Sequence, residues 1–204
     1  NAYKNNETAF AMQMLENGET DFYYAKEQER GEISGILFVA NGDTLVAEAT
    51  EYIDVIKLVL NEPLTSGEKR TLFTKFTVKL PKVFSRLGHE DQNYFITQWY
   101  PKPAVYDVNG WNQMPYLNQG EFYSEFGTFK VAITLPDNYI IVATGECMTA
   151  DELAIEKVAV DTVPVSSTRT KTIQFEADNV HDFAWFASKQ WGYETKEVDL
   201  GSTK

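Results

Sequence analysis

The sequence predicts an all-β fold, a curved antiparallel sheet or β-sandwich with a short helical segment at the start. Two stretches, TLFTKFTVKLP and TFKVAITLP, alternate apolar and polar residues, which is typical of antiparallel strands with one wet face. Aromatic residues make up 14% of the 204-residue chain and favour half-buried sheet surfaces. Turn signals separate the candidate strands at short spacing, as at Leu135-Pro136-Asp137-Asn138.

The chain opens with a helical pattern. In NETAFAMQMLENG, Phe10, Met14 and Leu15 fall on one helical face, and Gly18 is expected to end the helix. The segment DFYYAKEQERG predicts a second short helix that stops at Gly31. The opening residues are therefore expected to be helical before the strands begin.

After Gly31 the apolar period changes to two. ISGILFVANGD reads as a strand that closes on Asn41-Gly42, a strong hairpin-turn signal. The segment from Pro101 to Gly127 has little periodicity, and long irregular loops of compact domains are often functional. Besides the two alternating stretches, the candidate strands are EYIDVIKLVL, NYFITQW, NYIIVATGE, LAIEKVAV, RTKTIQFEA and VHDFAWFAS.

Charge and composition exclude several classes of partner. The formal net charge is -12, which repels phosphate backbones and anionic membrane surfaces, so no nucleic-acid partner is expected. The longest apolar runs are too short for a membrane span. The one cysteine, Cys147, can form neither an internal disulfide nor a thiolate zinc site, and it reads as a small buried hydrophobe.

The residues with catalytic chemistry do not form a recognisable set. The run HEDQN at His89 lacks the second histidine of a zinc-binding helix, because Asn93 stands in that place. His181 reads as a structural strand histidine. Glu121 and Glu125 could act as paired carboxylates, but charged side chains on the rim of a loop are the favoured interpretation. We therefore predict no catalytic residue and no metal ligand in this chain.

The stretch ITQWYPKPAVYDVNGW is dense in aromatic residues. We interpret Trp99, Tyr106 and Trp111 as a packed structural corner, with Asp107 capping a tight turn. The alternative is an exposed aromatic platform, also including Tyr100, on a stand-alone β-sandwich module that binds glycans or a protein partner.

Four motifs of this chain carry a family resemblance. A strand ends in Thr97-Gln98, Tyr106-Asp107 follows, the next strand ends in Leu135-Pro136, and a later one ends in Ala143-Thr144-Gly145. With NAYKNNETAF and ADNVHDFAWFAS, these motifs resemble the amino-terminal β domain of zinc aminopeptidases related to aminopeptidase N (gluzincins), in the branch common in Bacteroidetes-type bacteria.

The resemblance implies a domain organisation. Residues 1–30 would be a helical segment packing on a β domain of residues 31–204, with earlier strands before residue 1 and a catalytic domain after residue 204. In the family, zinc is bound by an H-E-x-x-H helix and a later Glu of that next domain. The resemblance therefore implies no cofactor in this chain itself and a zinc ion in the catalytic domain, which would be its partner. Peptide substrate is the other implied partner, and a periplasmic or cell-surface location is implied by the resemblance only.

The resemblance also implies two substrate-binding residues. In the family, the Thr-Gln strand directs a Gln, and two residues later a Gln or Glu, toward the substrate's amino end. Gln98 matches the first position, whereas Tyr100 departs from the pattern at the second. A phenol accepts a hydrogen bond and offers a ring face to a cation, but it carries no negative charge. We expect Gln98 and Tyr100 to line the cleft, with weakened selectivity for a charged amino end.

Overall fold

The computed structural model describes residues 1–153, 160–194, 196, 198 and 201. Strands make up 38% and helices 7%, so the predicted all-β class is confirmed. The candidate strand LAIEKVAV lies almost wholly outside the described residues. Among the residues described, no helix combines the length and apolar character that crossing a membrane requires.

The strands form several antiparallel sheets. In chain order they are β1 (Glu32–Ala40), β2 (Asp43–Thr44), β3 (Val46–Ala49), β4 (Ile56–Val59), β5 (Leu72–Lys79), β6 (Gly88–Glu90), β7 (Asn93–Ile96), β8 (Val105–Asp107), β9 (Gly110–Asn112), β10 (Gly127–Pro136), β11 (Ile140–Ala143), β12 (Glu146–Cys147), β13 (Thr170–Val180) and β14 (Trp185–Ser188). Two helices, α1 (Ala9–Glu16) and α2 (Ala150–Leu153), and a 3-10 turn at Glu27–Glu29 accompany them.

The chain divides into two compact units, one of residues 1–90 with 96–125 and one of residues 91–95 with 126–204. In the first unit, β1 pairs with both β2 and β5, and β3–β4 and β8–β9 are separate hairpins. The β1–β2 turn uses Asn41 and Gly42, both at positive φ, as the sequence predicts.

Helix α1 lies within the segment predicted to be helical, but its buried face is smaller than predicted. The Thr8 hydroxyl accepts a hydrogen bond from the Ala11 amide at 3.1 Å and caps the helix. Phe10 and Met14 are buried, as predicted, whereas Leu15 is exposed. The prediction for Leu15 is wrong because the apolar stripe of this short helix is too narrow to include it.

The predicted second helix over DFYYAKEQERG does not form. Only a turn and the 3-10 segment Glu27–Glu29 are present there. The Arg30 side chain donates to the backbone oxygens of Ala25 and Phe22, and its guanidinium lies 4.6 Å from the Phe22 ring centroid. These side-chain contacts, made within the segment itself, hold it folded back and override its helical pattern.

A buried aromatic cluster joins α1 to the irregular loop near residue 116. The Tyr3 ring packs against Phe10 and Tyr116 at centroid distances of 4.6 and 5.3 Å, and Phe22 contacts Phe10 at 5.1 Å. The Tyr3 hydroxyl donates to the Tyr116 hydroxyl at 2.7 Å. Burial raises the pKa of both phenols, so the pair is neutral at ordinary pH.

The second unit contains a hydrophobic core of its own. Strand β10 pairs along its length with β13, which also pairs with β12, and a second sheet has the order β11-β14-β7. The inward residues of β10 alternate as predicted. The core is formed by Ile133, Tyr139, Ile141, Ile173, Phe175, Phe183 and Ala187, with Phe129, Val131 and Leu135 packed against it.

The Ala143-Thr144-Gly145 motif has a steric explanation. Gly145 has φ +86, a left-handed conformation that disfavours side chains. A Cβ added there would stand 2.6 Å from the Ala177 Cβ and closer still to the Glu176 carbonyl oxygen. Glycine is therefore required at this position by both backbone conformation and space.

We predict that Gly145→Ala lowers the free energy of unfolding by about 2–4 kcal/mol, because strain at positive φ adds to overpacking against β13. Urea denaturation followed by fluorescence measures the change. Gly127→Ala is the control in the same unit, since nothing lies within 4 Å of its added Cβ. Equal stability of the two variants would contradict this explanation.

Candidate functional site

Gln98 adopts a backbone conformation that is uncommon for a non-glycine residue. It lies two residues after β7, with φ +48, and its side chain is half-buried. Such a left-handed residue costs about 1–2 kcal/mol, and residues of this kind cluster at functional sites when the surrounding structure holds them in place. The contacts of the Gln98 side chain therefore bear on how this conformation is maintained.

The Gln98 carboxamide is held at both ends. Arg86 Nε donates to Gln98 Oε1 at 3.3 Å, and Gln98 Nε2 donates to Glu121 Oε2 at 3.1 Å. A carbonyl oxygen has two lone pairs, so Gln98 Oε1 can accept a further hydrogen bond. The amide is therefore oriented before any ligand binds.

The Arg86 guanidinium organises this site. Nη1 donates to the Asn118 carbonyl oxygen at 2.8 Å and Nη2 donates to that of Leu117 at 2.7 Å. Its Cζ lies 4.9 Å from the centroid of the Tyr116 ring. The side chain is 28% exposed, so most of it is shielded from water. The rigid fork of arginine donors suits this simultaneous binding of several acceptors.

The loop from Leu117 to Glu121 is fastened at further points. The Gln13 side chain donates to the Gln119 carbonyl oxygen at 3.0 Å and accepts from the Gln119 amide at 2.6 Å. The Asn118 side chain donates to Glu19 at 3.1 Å and accepts from the Ser85 hydroxyl at 2.9 Å. This irregular loop is therefore fixed by side chains from α1 and its neighbours, and it presents Glu121 beside Gln98.

Tyr100, the second predicted site residue, packs among aromatic rings. Its ring meets the Trp99 ring edge-on, with a centroid distance of 5.4 Å, and Trp99 in turn lies 6.2 Å from Phe76. Both Trp99 and Tyr100 are half-buried. Trp99 thus has the packed surroundings expected of a structural corner, and the role of Tyr100 in substrate binding stays a prediction.

Tyr106 and Trp111 contradict the prediction of a packed corner. They lie directly opposite each other on the β8–β9 hairpin, 5.0 Å apart between ring centroids, with 67% and 68% of their surface exposed. The two-stranded hairpin buries its other face through Val105, so the Tyr106 and Trp111 side is left to solvent. The predicted turn is present, since Asp107 Oδ1 accepts from the Asn109 amide at 2.8 Å.

The remaining chemically active side chains do not come together. In the part of the chain that the structure describes, no three His, Cys, Asp or Glu side chains are grouped so as to hold a metal ion. His181 is exposed and lies beside the Phe126 ring at 5.9 Å. Glu121 and Glu125 are both exposed, as expected for a loop rim.

Two residues of the site were not predicted from sequence. No sequence motif marks Arg86 as a site residue, and the sequence favours a charge on the rim of a loop for Glu121. Their contacts with Gln98 span 12 and 23 residues along the chain. No local pattern indicates such contacts, although the dense polar composition around Glu121, in NQGEFYSE, is a weak signal.

Comparison with models of known protein families, with curated proteins and with solved structures finds no match to this chain.

We predict that Arg86→Met lowers the free energy of unfolding by about 2 kcal/mol or more, because the carbonyl oxygens of Leu117 and Asn118 lose their donors. Lys57→Met is the control in the same unit, since it removes only a surface ion pair with Glu48 and should cost less than about 1 kcal/mol. Urea denaturation followed by tryptophan fluorescence compares the two. An Arg86→Met variant as stable as wild type would show that this network is dispensable.

Proposed function

We propose that this chain is the non-catalytic amino-terminal domain of a zinc-dependent, aminopeptidase-like metallopeptidase. Its role is to line the substrate cleft and orient the amino end of the peptide. The four family-like motifs and the all-β fold support this proposal. The observation that carries it is the fixed carboxamide of Gln98, the residue that matches the family's substrate-binding Gln.

A fixed carboxamide suits the anchoring of a peptide amine. The oxygen of Gln98 can accept a charge-assisted hydrogen bond from an ammonium group, which is stronger than a bond between neutral partners. Because Arg86 and Glu121 already set the orientation of the amide, little additional ordering is needed when substrate binds. Fixing the amino end of the peptide also fixes which bond is presented for cleavage.

In this proposal, substrate orientation is the role of this chain, and bond cleavage is the role of a catalytic domain. In the resembling family, zinc and its ligands belong to a separate catalytic domain, and the proposal assigns them to such a domain rather than to this chain. The contribution of this chain is to bind the amino end, orient the peptide and exclude water from one wall of the cleft.

We predict that Gln98→Ala, made in the complete peptidase that contains this chain, lowers kcat/KM for peptides with a free amino end by about 10- to 100-fold. This range corresponds to losing one hydrogen bond to a charged group. Steady-state cleavage of aminoacyl p-nitroanilides measures the change. Gln98→Asn provides a second variant, because asparagine tolerates the left-handed conformation while shortening the side chain.

Gln113→Ala is the matched control, because Gln113 is an exposed glutamine of the same irregular segment. It should leave kcat/KM within twofold of wild type. If both Gln98 variants also retain wild-type kcat and KM, Gln98 does not bind substrate and the proposed role of this domain is wrong.

A second candidate function, a module that binds glycans, is favoured by the exposed Tyr106–Trp111 pair. Aromatic faces open to solvent on a hairpin can stack against sugar rings, and large exposed apolar groups commonly mark binding sites. A glycan array probed with the purified chain and with Trp111→Ala distinguishes the candidates. Binding that depends on Trp111 supports the glycan module, and no binding favours the peptidase domain.

A further inference from the structure

We infer that the first unit contains a further binding site, which takes a small zwitterion, an α-amino acid with a short aliphatic side chain. The site is a cavity of about 160 Å³ beside the β1–β2 turn. Neither Gln98 nor its partners Arg86 and Glu121 line this cavity. The inference therefore goes beyond the proposed role in a peptidase and is independent of it.

The cavity is formed by segments that lie apart along the chain. On one side is the β1–β2 turn, with Asn41 at φ +52 and Asp43 directly after the turn. On the other side are residues 60–62, which follow β4, and Arg70, which precedes β5. Asn61 Nδ2 donates to Asp43 Oδ2 at 3.3 Å and joins the two sides. The cavity therefore depends on the tertiary structure of this unit.

The cation of this cavity has donors to spare. The Arg70 side chain is 17% exposed, so most of it is shielded from water. Its ion-pair partner Glu62 has Oε2 3.9 Å from Arg70 Nη1, too far for a hydrogen bond, and the guanidinium makes no hydrogen bond to any other described residue. A guanidinium offers five donors in a planar fork that binds a carboxylate through two of them. The carboxylate of a ligand would satisfy this group.

Two carboxylates line the same cavity. Asp43 accepts one hydrogen bond, from Asn61, which leaves most of its lone-pair positions for a ligand, and Glu62 is 77% exposed and open to approach. With Arg70, these two residues give the cavity a net charge of -1. A simple anion is repelled by Asp43 and Glu62, and a simple cation is repelled by Arg70. A ligand that carries both charges satisfies both sides of the cavity.

The apolar lining and the volume limit the size of the ligand. Leu45 is buried in a small core with Phe38 and Ala40, Leu60 packs against that core, and both leucines line the cavity. A cavity of similar volume holds a molecule the size of benzene, so a ligand with about six non-hydrogen atoms fits, which is the size of alanine. Its methyl group suits the leucine wall, whereas an aromatic amino acid is too large.

The first experiment titrates the purified, ¹⁵N-labelled 204-residue chain with L-alanine and follows the amide resonances by NMR. We expect saturable shifts at lining residues such as Asn41 and Leu45, with a Kd of about 1 mM or tighter. Propionate lacks the amine and L-alaninamide lacks the carboxylate, so each should bind at least about tenfold more weakly than L-alanine. L-Phenylalanine, which exceeds the cavity, should cause no saturable shift at these residues.

Two variants locate the site. Arg70→Met removes the guanidinium but keeps an apolar side chain, and Asp43→Asn keeps an acceptor for Asn61 but removes the charge. Each should raise the Kd for L-alanine about tenfold or more. Lys57→Met and Glu51→Gln are the matched controls, since each removes an exposed charge of the same sign in the same unit, and both should bind within about twofold of wild type. A dispersed spectrum verifies that each variant is folded.

Three results would overturn the inference. The absence of a saturable shift up to about 20 mM L-alanine would show that no such site exists. Propionate or L-alaninamide binding as tightly as L-alanine would show that one charge is enough and that the ligand is not a zwitterion. Wild-type affinity in folded Arg70→Met and Asp43→Asn would show that alanine binds elsewhere. The ligand series on the wild-type chain decides the matter even if a variant does not fold.

Discussion

The candidate site depends on the hydrogen bonds that the guanidinium group of Arg86 donates. It binds the carbonyl oxygens of Leu117 and Asn118 and the side-chain oxygen of Gln98, so one residue joins the loop to the carboxamide. Gln98 occupies an unfavourable left-handed conformation, and such strain persists only where surrounding contacts determine it. Arg86 supplies those contacts on one side of the amide, and Glu121 supplies them on the other.

The hydrogen-bond network of Arg86 is packed against the aromatic cluster that contains Tyr3, Phe10 and Tyr116. Tyr116 contacts Arg86 through its ring and Tyr3 through its hydroxyl, and Phe10 of α1 packs against both tyrosines. The same helix uses Gln13 to hold the backbone of Gln119. Helix α1 therefore fixes the loop around Gln119, which has no regular secondary structure of its own.

The regular parts of the fold were predictable from sequence because local patterns determine them. The alternation of β10 reflects one buried and one wet face, the Asn41-Gly42 turn reflects backbone preference, and the Asp107 turn reflects a local side-chain bond. Strand alternation and turn motifs depend on residues that are close in the sequence, so they can be predicted without knowledge of tertiary contacts.

Most of the site could not be predicted in this way. The resemblance indicated Gln98, but Arg86 and Glu121 reach it through contacts between distant parts of the chain. The packed corner predicted for Tyr106 and Trp111 is wrong because sequence period and composition do not reveal that the β8–β9 hairpin is covered on one face only. The helix predicted over residues 21–31 is absent for a different reason, since hydrogen bonds from the Arg30 side chain to backbone oxygens of the same segment override its helical propensity.

The proposed role of Gln98 is to bind the amino end of a peptide in the orientation that Arg86 sets. A double-mutant cycle tests it most directly, with kcat/KM measured in the complete peptidase for wild type, Gln98→Ala, Arg86→Met and the double variant. The account predicts that the combined loss differs from the sum of the single losses by more than about 1 kcal/mol, because Arg86 acts on the substrate through Gln98. Losses that add to within about 0.5 kcal/mol would show that the two residues act independently and would contradict the account.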